Sequence, residues 1–196
     1  VDDFEAPKEK DLMVYELLVR DFVADHSYLT IIDSLEYLQN LGINAIELMP
    51  VNEFEGNISW GYNPSYHMAL DKYYGTPEHF KTFIDECHKR GIAIILDVVY
   101  NHGFSQSPLC QMYWDNANFR PAENSPYANV TAKHDFNVGF DLNHSSTAVK
   151  NFVKQVVQYW LEEYNVDGFR FDLSKGFTQK NTLGDIGAWS AYDGER

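Results

Sequence analysis

Residues 92–99 read Ile-Ala-Ile-Ile-Leu-Asp-Val-Val, and this run indicates the fold of the 196-residue chain more clearly than any other segment. It is almost wholly apolar, rich in β-branched side chains and no longer than one strand. Such a run is typical of a parallel β-strand that is covered on both faces. Its single acid, Asp97, needs a partner if it is buried. The run therefore predicts a central strand of an α/β fold that contains a paired carboxylate.

Strand and helix signals alternate on either side of this run. Strands are predicted at residues 12–17, 43–49, 92–99 and 166–173, and helices begin near Thr30, Thr76, Ser145 and Ala188. Four strand–helix units in series predict a parallel sheet. A TIM-type (β/α)8 barrel needs eight units and roughly 250 residues, so we expect residues 1–196 to be the N-terminal part of such a domain. An open doubly wound sheet is the alternative, but no Gly-x-Gly-x-x-Gly follows the first strand.

Three helices are predicted from apolar residues at helical spacing. The first stripe ends at Gly42 and consists of Ile31, Ile32, Leu35, Leu38 and Leu41. The second follows the N-cap Thr76 and consists of Phe80, Phe83, Ile84 and Cys87. The third consists of Val149, Phe152, Val153, Val156, Val157, Trp160 and Leu161. Between the third strand and this last helix, residues 103–143 form a long loop or small subdomain, a feature that usually carries function.

Bulk composition excludes several classes of partner. The net charge of −14 repels nucleic acids, and no apolar run approaches the roughly 20 residues of a membrane helix. We therefore expect neither a nucleic-acid nor a membrane partner. Aromatic residues make up 15% of the chain, and some of them can stack on the flat faces of sugar rings. The chain begins at Val1 and resembles an excised piece, so its N-terminus says nothing about targeting. As a separate expectation, an extracytoplasmic or secreted location is favoured over a cytoplasmic one.

Polar side chains stand near the C-terminal ends of the predicted strands, where parallel α/β folds place functional groups. Arg170 and Asp172 are two residues apart and therefore share one face of the fourth strand. Asp97 lies at the matching level of the third strand, where it could hold the Arg170 guanidinium. Arg170 would then keep Asp172 ionised, which suits a carboxylate nucleophile. A purely structural ion pair is the alternative.

Four short motifs carry a family resemblance. They are Asp-Val-Val-Tyr-Asn-His at residues 97–102, Asp-Gly-Phe-Arg-Phe-Asp at 167–172, Trp-Gly-Tyr-Asn-Pro at 60–64 and Asp-Leu-Asn at 141–143. Their order and spacing resemble the alpha-amylase family of retaining glycoside hydrolases across nearly the whole chain. Each motif is weak by itself, but chance is a poor explanation for four in order on matching elements.

The resemblance implies a role for each matching residue. Asp172 would be the nucleophile of a double displacement, Arg170 would position it, and Asp97 would be a structural partner of the site. His102 would hydrogen-bond the sugar in the cleavage subsite, and Tyr62 would stack on that sugar. The alternatives are a buried, satisfied histidine at position 102 and ordinary loop packing at position 62.

Two further residues are candidate sugar contacts. Trp60 belongs to the same motif as Tyr62. Lys175 either lines a more distant sugar subsite or is a solvated lysine.

Calcium is an optional cofactor in this family, and none is required. Asn101 and Asp141 match ligand positions and supply the hard oxygens that calcium prefers. Calcium-binding relatives often have His where Gly176 stands, however, and many relatives lack the ion. Asn101 bonding to neighbouring backbone is the alternative.

The implied activity is cleavage or transfer of α-1,4 or α-1,6 glucosidic bonds in an α-glucan such as starch. Retaining hydrolysis needs two carboxyl groups ~5–5.5 Å apart, and the family takes the second, a Glu, from strand five. None of Glu162, Glu163 and Glu195 matches that place, so we expect the isolated chain to be inactive. The alternatives are a non-catalytic relative that binds α-glucan or protein, and a different (β/α)8 enzyme. Unpaired edges on the first and fourth strands would favour self-association of the fragment.

Overall fold

The computed structural model describes residues 4–184. These residues group into two compact units. The sheet unit consists of residues 4–53, 68–98 and 157–170, and the loop unit consists of residues 54–67, 99–156 and 171–184. The helix predicted from Ala188 onward lies outside the described residues.

The described part of the chain contains ten strands and six α-helices. The strands are β1 (Val14–Leu17), β2 (Ala45–Leu48), β3 (Asn52–Phe54), β4 (Pro64–Leu70), β5 (Ala93–Val98), β6 (His102–Gly103), β7 (Trp114–Asp115), β8 (Arg120–Pro121), β9 (Phe140–Asp141) and β10 (Gly168–Phe171). The helices are α1 (Val19–Phe22), α2 (Tyr28–Ile32), α3 (Leu35–Asn40), α4 (Pro77–His88), α5 (Pro108–Gln111) and α6 (Thr147–Tyr164). Single turns of 3-10 helix occur at Glu9–Asp11 and Ser174–Phe177. None of the described helices has the length and hydropathy needed to cross a membrane.

The central sheet has the strand order β1-β2-β5-β10. β2 pairs in parallel with both β1 and β5, so that Ile46 lies opposite Tyr15 on one side and Ile94 on the other. Every residue of β5 except Ile95 is buried. The predicted parallel sheet and the predicted cover on both faces of the third strand are thereby confirmed. All four strands lie inside their predicted ranges, because the sequence pattern extends beyond the paired residues.

α4 begins and packs as the sequence predicts. The Thr76 side chain accepts a hydrogen bond from the backbone N–H of His79 at 3.3 Å, and the His79 ring accepts one from the Thr76 N–H. The predicted stripe of α4 is buried. Phe80 from this stripe packs against Tyr28 and Tyr164 at ring distances of 4.7 and 5.3 Å. These aromatic contacts form the core of the sheet unit between α2, α4 and α6.

The single helix predicted after the first strand is wrong, because the structure divides it into α2 and α3. The Ser34 N–H bonds to the carbonyl of Ile31 at 2.9 Å, and this tight turn ends α2. Ser34 then serves as the N-cap residue of α3. Aspartate and serine compete with helical hydrogen bonds and favour such boundaries, which explains a break at residues 33–34. One consequence is that Leu41, expected on the buried stripe, is 54% exposed.

The loop unit contains the long segment 103–143. β6 and β9 pair antiparallel, with His102 opposite Asp141, and so bring the two ends of this segment together. β7 and β8 form a second antiparallel pair. Leu109, Leu142 and Val149 form a small buried core, against which Tyr127, Phe152 and Val153 pack. α6 begins as expected, since the Ser146 hydroxyl accepts from the Ala148 N–H at 3.2 Å. The assignment of 103–143 as a separate subdomain stays a prediction.

Candidate active site

Asp97 and Arg170 form the ion pair that the sequence predicts. Asp97 lies on β5 with its side chain fully buried, whereas 45% of the Arg170 side chain on β10 is exposed. Nη1 of Arg170 donates to both carboxylate oxygens of Asp97, at 3.0 and 3.1 Å. A carboxylate buried in this way is stable only with such a partner. The pair therefore fixes the guanidinium at the end of the strand that precedes Asp172.

Two acids that the sequence analysis did not single out join this pair. Glu16 on β1 and Glu47 on β2 lie opposite each other in the sheet. One carboxylate oxygen from each of these two acids and one from Asp97 lie within 4.8 Å of one another. Burial, and next the charge of Asp97, raise the pKa of Glu47, while the Arg170 cation opposes this rise. The sequence signal for this group was a single acid in each of two otherwise apolar strands. That signal shows which acids meet only once the strand register is known.

His102 on β6 is buried, and both of its ring nitrogens have protein partners. Nε2 donates to the carbonyl oxygen of Tyr62 at 2.9 Å, and Nδ1 accepts from Nδ2 of Asn101 at 2.9 Å. These partners select the neutral ring with its proton on Nε2. Burial lowers the pKa of His102, while the bond to Tyr62 and the negative charge of Asp172 act in the opposite direction. A sugar hydroxyl would bond to either nitrogen only by replacing or sharing one of these partners.

Tyr62 and Trp60 lie in a braced loop between β3 and β4. The backbone N–H of Glu55 donates to the carbonyl of Asn63 at 3.0 Å, and Nδ2 of Asn63 donates back to the Glu55 carbonyl at 2.8 Å. Gly61 has a φ of +93°, a backbone conformation that favours glycine. Tyr62 is half-buried and Trp60 is 60% exposed. The loop therefore presents an indole face to solvent from a rigid backbone.

Asp172 directly follows β10 and is half-buried. The next residue, Leu173, has φ 43° and ψ 47°. A non-glycine residue in this left-handed region is strained by about 1–3 kcal/mol, and such strain clusters at functional sites. The surrounding loop must therefore hold the backbone after Asp172 in place.

Lys175 is 6% exposed, and its ammonium lies 4.7 Å from the centre of the Phe136 ring. The alternative that Lys175 is a solvated lysine is therefore wrong. Its predicted contact with a distant sugar stays a prediction.

Asn101 and Asp141 differ in how their oxygens are engaged. Oδ1 of Asn101 is buried and accepts no hydrogen bond within residues 4–184. Both carboxylate oxygens of Asp141 accept from side-chain N–H groups, those of Asn129 at 2.8 Å and His134 at 3.1 Å. Asn129 and His134 were not predicted from the sequence, because nothing in the spacing of a long loop shows which residues meet.

Comparison with known proteins relates this arrangement to one family. Residues 28–138 and 132–188 match the profile described as "Alpha amylase, catalytic domain". The chain is 36% identical over 184 residues to malto-oligosyltrehalose trehalohydrolase of Saccharolobus solfataricus, covering 91% of this chain and 31% of that protein. It is 33% identical over 211 residues to chloroplastic isoamylase SU1 of Zea mays, covering 90% of this chain and 26% of that protein.

Solved structures agree in fold. A putative alpha amylase from Salmonella typhimurium superposes with a TM-score of 0.75 at 29% identity, over 89% of this chain and 28% of that one. Pullulanase type I from Bacillus subtilis complexed with maltose superposes with a TM-score of 0.68 at 28% identity, over 88% of this chain and 29% of that one.

The parallel α/β sheet is thus shared with a class of glycoside hydrolases. The chain belongs to the alpha-amylase family. It spans about a quarter to a third of the length of the curated relatives it matches.

Proposed function

We propose that this chain is the N-terminal part of the (β/α)8 catalytic barrel of an enzyme that acts on α-glucans with retention of configuration. The observation that carries the proposal is the ion pair between the buried Asp97 and Arg170. Arg170 lies two residues before Asp172. It keeps a fixed positive charge on the strand that leads into the proposed nucleophile. The named activities of the relatives, which include isoamylase, pullulanase and a trehalohydrolase, support an α-glucan as substrate.

The proposed reaction is a double displacement. The Asp172 carboxylate attacks the anomeric carbon and forms a glycosyl ester, while a second carboxyl group gives its proton to the departing glycosidic oxygen. Water, deprotonated by that second group, then cleaves the ester and regenerates Asp172. Neither Glu162 nor Glu163 suits the second role, because both lie exposed on α6 and Glu163 pairs with Lys81. We place the acid in a segment beyond this chain and expect the isolated chain to be inactive.

The substrate contacts follow from the same proposal. Tyr62 stacks on the sugar in the cleavage subsite and His102 bonds to one of its hydroxyl groups. Trp60 and Lys175 contact more distant sugars. The exposed indole of Trp60 supports this role for Trp60. The outer strands β1 and β10 of the described sheet provide edges for self-association of the isolated chain.

A non-catalytic α-glucan-binding relative is the second candidate. The observation that favours it is His102, whose two ring nitrogens are already bonded to protein groups. One residue distinguishes the two candidate functions. The enzyme needs a glutamate on the strand that follows this chain, and a binding protein does not.

The test is Asp172→Asn in the longer protein that carries this chain. Loss of the nucleophile is expected to lower kcat on starch at least about a thousandfold, because the amide keeps the shape but cannot form the ester. The matched control is Asp33→Asn, which changes an exposed aspartate at the end of α2 and is expected to leave kcat unchanged. Unchanged hydrolysis by the Asp172 variant would refute the nucleophile assignment.

A further inference from the structure

Four side chains of the loop unit form a compact network, which we call the clamp: Asn129, His134, Asp141 and Gln179. Nδ2 of Asn129 donates to Oδ2 of Asp141 at 2.8 Å and to Oε1 of Gln179 at 3.1 Å. Nε2 of His134 donates to Oδ1 of Asp141 at 3.1 Å. The clamp therefore ties two parts of the long loop to a residue that follows the Ser174–Phe177 turn.

The orientation of His134 is fixed from its other side. Its Nδ1 accepts from the backbone N–H of Phe136 at 3.2 Å, so the proton lies on Nε2, where it faces Asp141. Asp141 and His134 are both buried, at 2% exposure each. A hydrogen bond to a buried carboxylate is among the stronger ones in proteins, because the acceptor is charged and shielded from water.

Backbone bonds reinforce the same connection. The N–H and hydroxyl of Thr182 both donate to the carbonyl of Lys133, at 2.8 and 3.1 Å. The N–H of Gly184 donates to Oδ2 of Asp135 at 2.7 Å. Residues 174–184, which follow Asp172 and the strained Leu173, are thus attached to residues 129–136 along their length.

Calcium does not fit the residues that the family resemblance assigns to it. The ion takes six to eight oxygen ligands. Both oxygens of Asp141 already accept hydrogen bonds from N–H groups, which engage lone pairs that a cation would need. Oδ1 of Asn101 is a buried oxygen that accepts no hydrogen bond within residues 4–184, and it offers one ligand to an ion that needs at least six.

We propose that the clamp holds the loop after Asp172 against the long loop by hydrogen bonds alone, without a metal ion. His134 and Asn129 supply the N–H donors to Asp141. The proposal concerns the attachment of the loop and does not rest on the proposed chemistry of Asp172.

The test is hydrogen–deuterium exchange followed by mass spectrometry on the longer protein that carries the chain. Exchange in residues 129–136 and 174–184 is expected to be the same with EDTA, with added calcium and with neither. His134→Ala and Asn129→Ala are expected to speed exchange in both segments roughly tenfold to a hundredfold, since each removes a bond to a buried charge.

Two variants serve as controls. Asn118→Ala removes a donor to Asp115 in the exposed turn between β7 and β8, and it is expected to leave both segments protected. His134→Gln keeps an N–H donor and is expected to retain most of the protection even if His134→Ala fails to fold.

Faster exchange of the unaltered protein in EDTA, reversed by calcium, would overturn the proposal. So would full protection in both alanine variants. Neither outcome depends on the activity of Asp172→Asn.

Discussion

His102 and Lys175 show how far a motif determines the state of a single residue. The motif places His102 at the end of a buried strand, but only its contacts with Tyr62 and Asn101 show that the ring is neutral. Lys175 lies shortly after the motif at residues 167–172, and its ammonium faces Phe136. In both cases the sequence predicts the residue's position, and the neighbours decide its chemistry.

Gly176→Ala tests a close approach of the backbone to the Asn101 side chain. The added Cβ would meet Cβ and Nδ2 of Asn101 at 2.8 Å, so Asn101 or the turn must shift. We expect the free energy of unfolding in urea to fall by about 2 kcal/mol. Gly168→Ala is the control, because its Cβ would have only Cγ1 of Ile95 nearby, at 3.9 Å. Equal stability of the two variants would show that the approach at Gly176 is not tight.

At the scale of elements, caps and breaks decide where helices begin. Thr76 predicted the start of α4 correctly, because a hydroxyl cap acts locally, and the proline at the first position of the helix favours the same start. Apolar spacing alone predicted one helix across residues 30–41 and overlooked the competing turn at Ser34. Periodicity reports which face is buried and carries little information about interruptions of the backbone.

Thr76→Ala tests the cap of α4. Removing the hydroxyl leaves the His79 N–H without its acceptor, and we expect a loss of about 1 kcal/mol in the free energy of unfolding. Thr82→Ala is the matched control on the same helix, since the exposed Thr82 hydroxyl only donates to the Glu78 carbonyl, which the helix already uses. A larger loss in the Thr82 variant than in the Thr76 variant would contradict the assignment of the cap.

At the scale of the whole molecule, the described core contains several histidines that are held neutral. Burial lowers the pKa of His67 to about 4 and also lowers the pKa of His102 and His144. In the unfolded chain these rings take up protons near pH 6.5. Protons therefore bind more readily to the unfolded chain in the acid range, and the fold loses stability there.

The expected pH dependence has a definite direction. The contribution of His67 is fully present above pH 6.5 and is lost as the pH falls toward 4, a change of about 3 kcal/mol. Urea unfolding at pH 7, 5.5 and 4 measures it. His67→Gln, which keeps a donor for the Val99 carbonyl, is expected to flatten this slope. An unchanged slope in that variant would show that His67 is not the titrating group.

The sequence by itself determined the parallel α/β class, the four strands, the capped start of α4 and the pairing of Asp97 with Arg170, because each depends on local patterns or on a buried charge that must be matched. Tertiary structure alone decided the grouping of Glu16 and Glu47 with Asp97, the neutral state of His102 and the clamp around Asp141. The carboxylate group and the contact of His102 with Tyr62 join residues that are far apart in the chain, and the clamp joins residues across a long irregular loop. Such contacts depend on strand register and loop path, which hydrophobic spacing does not encode.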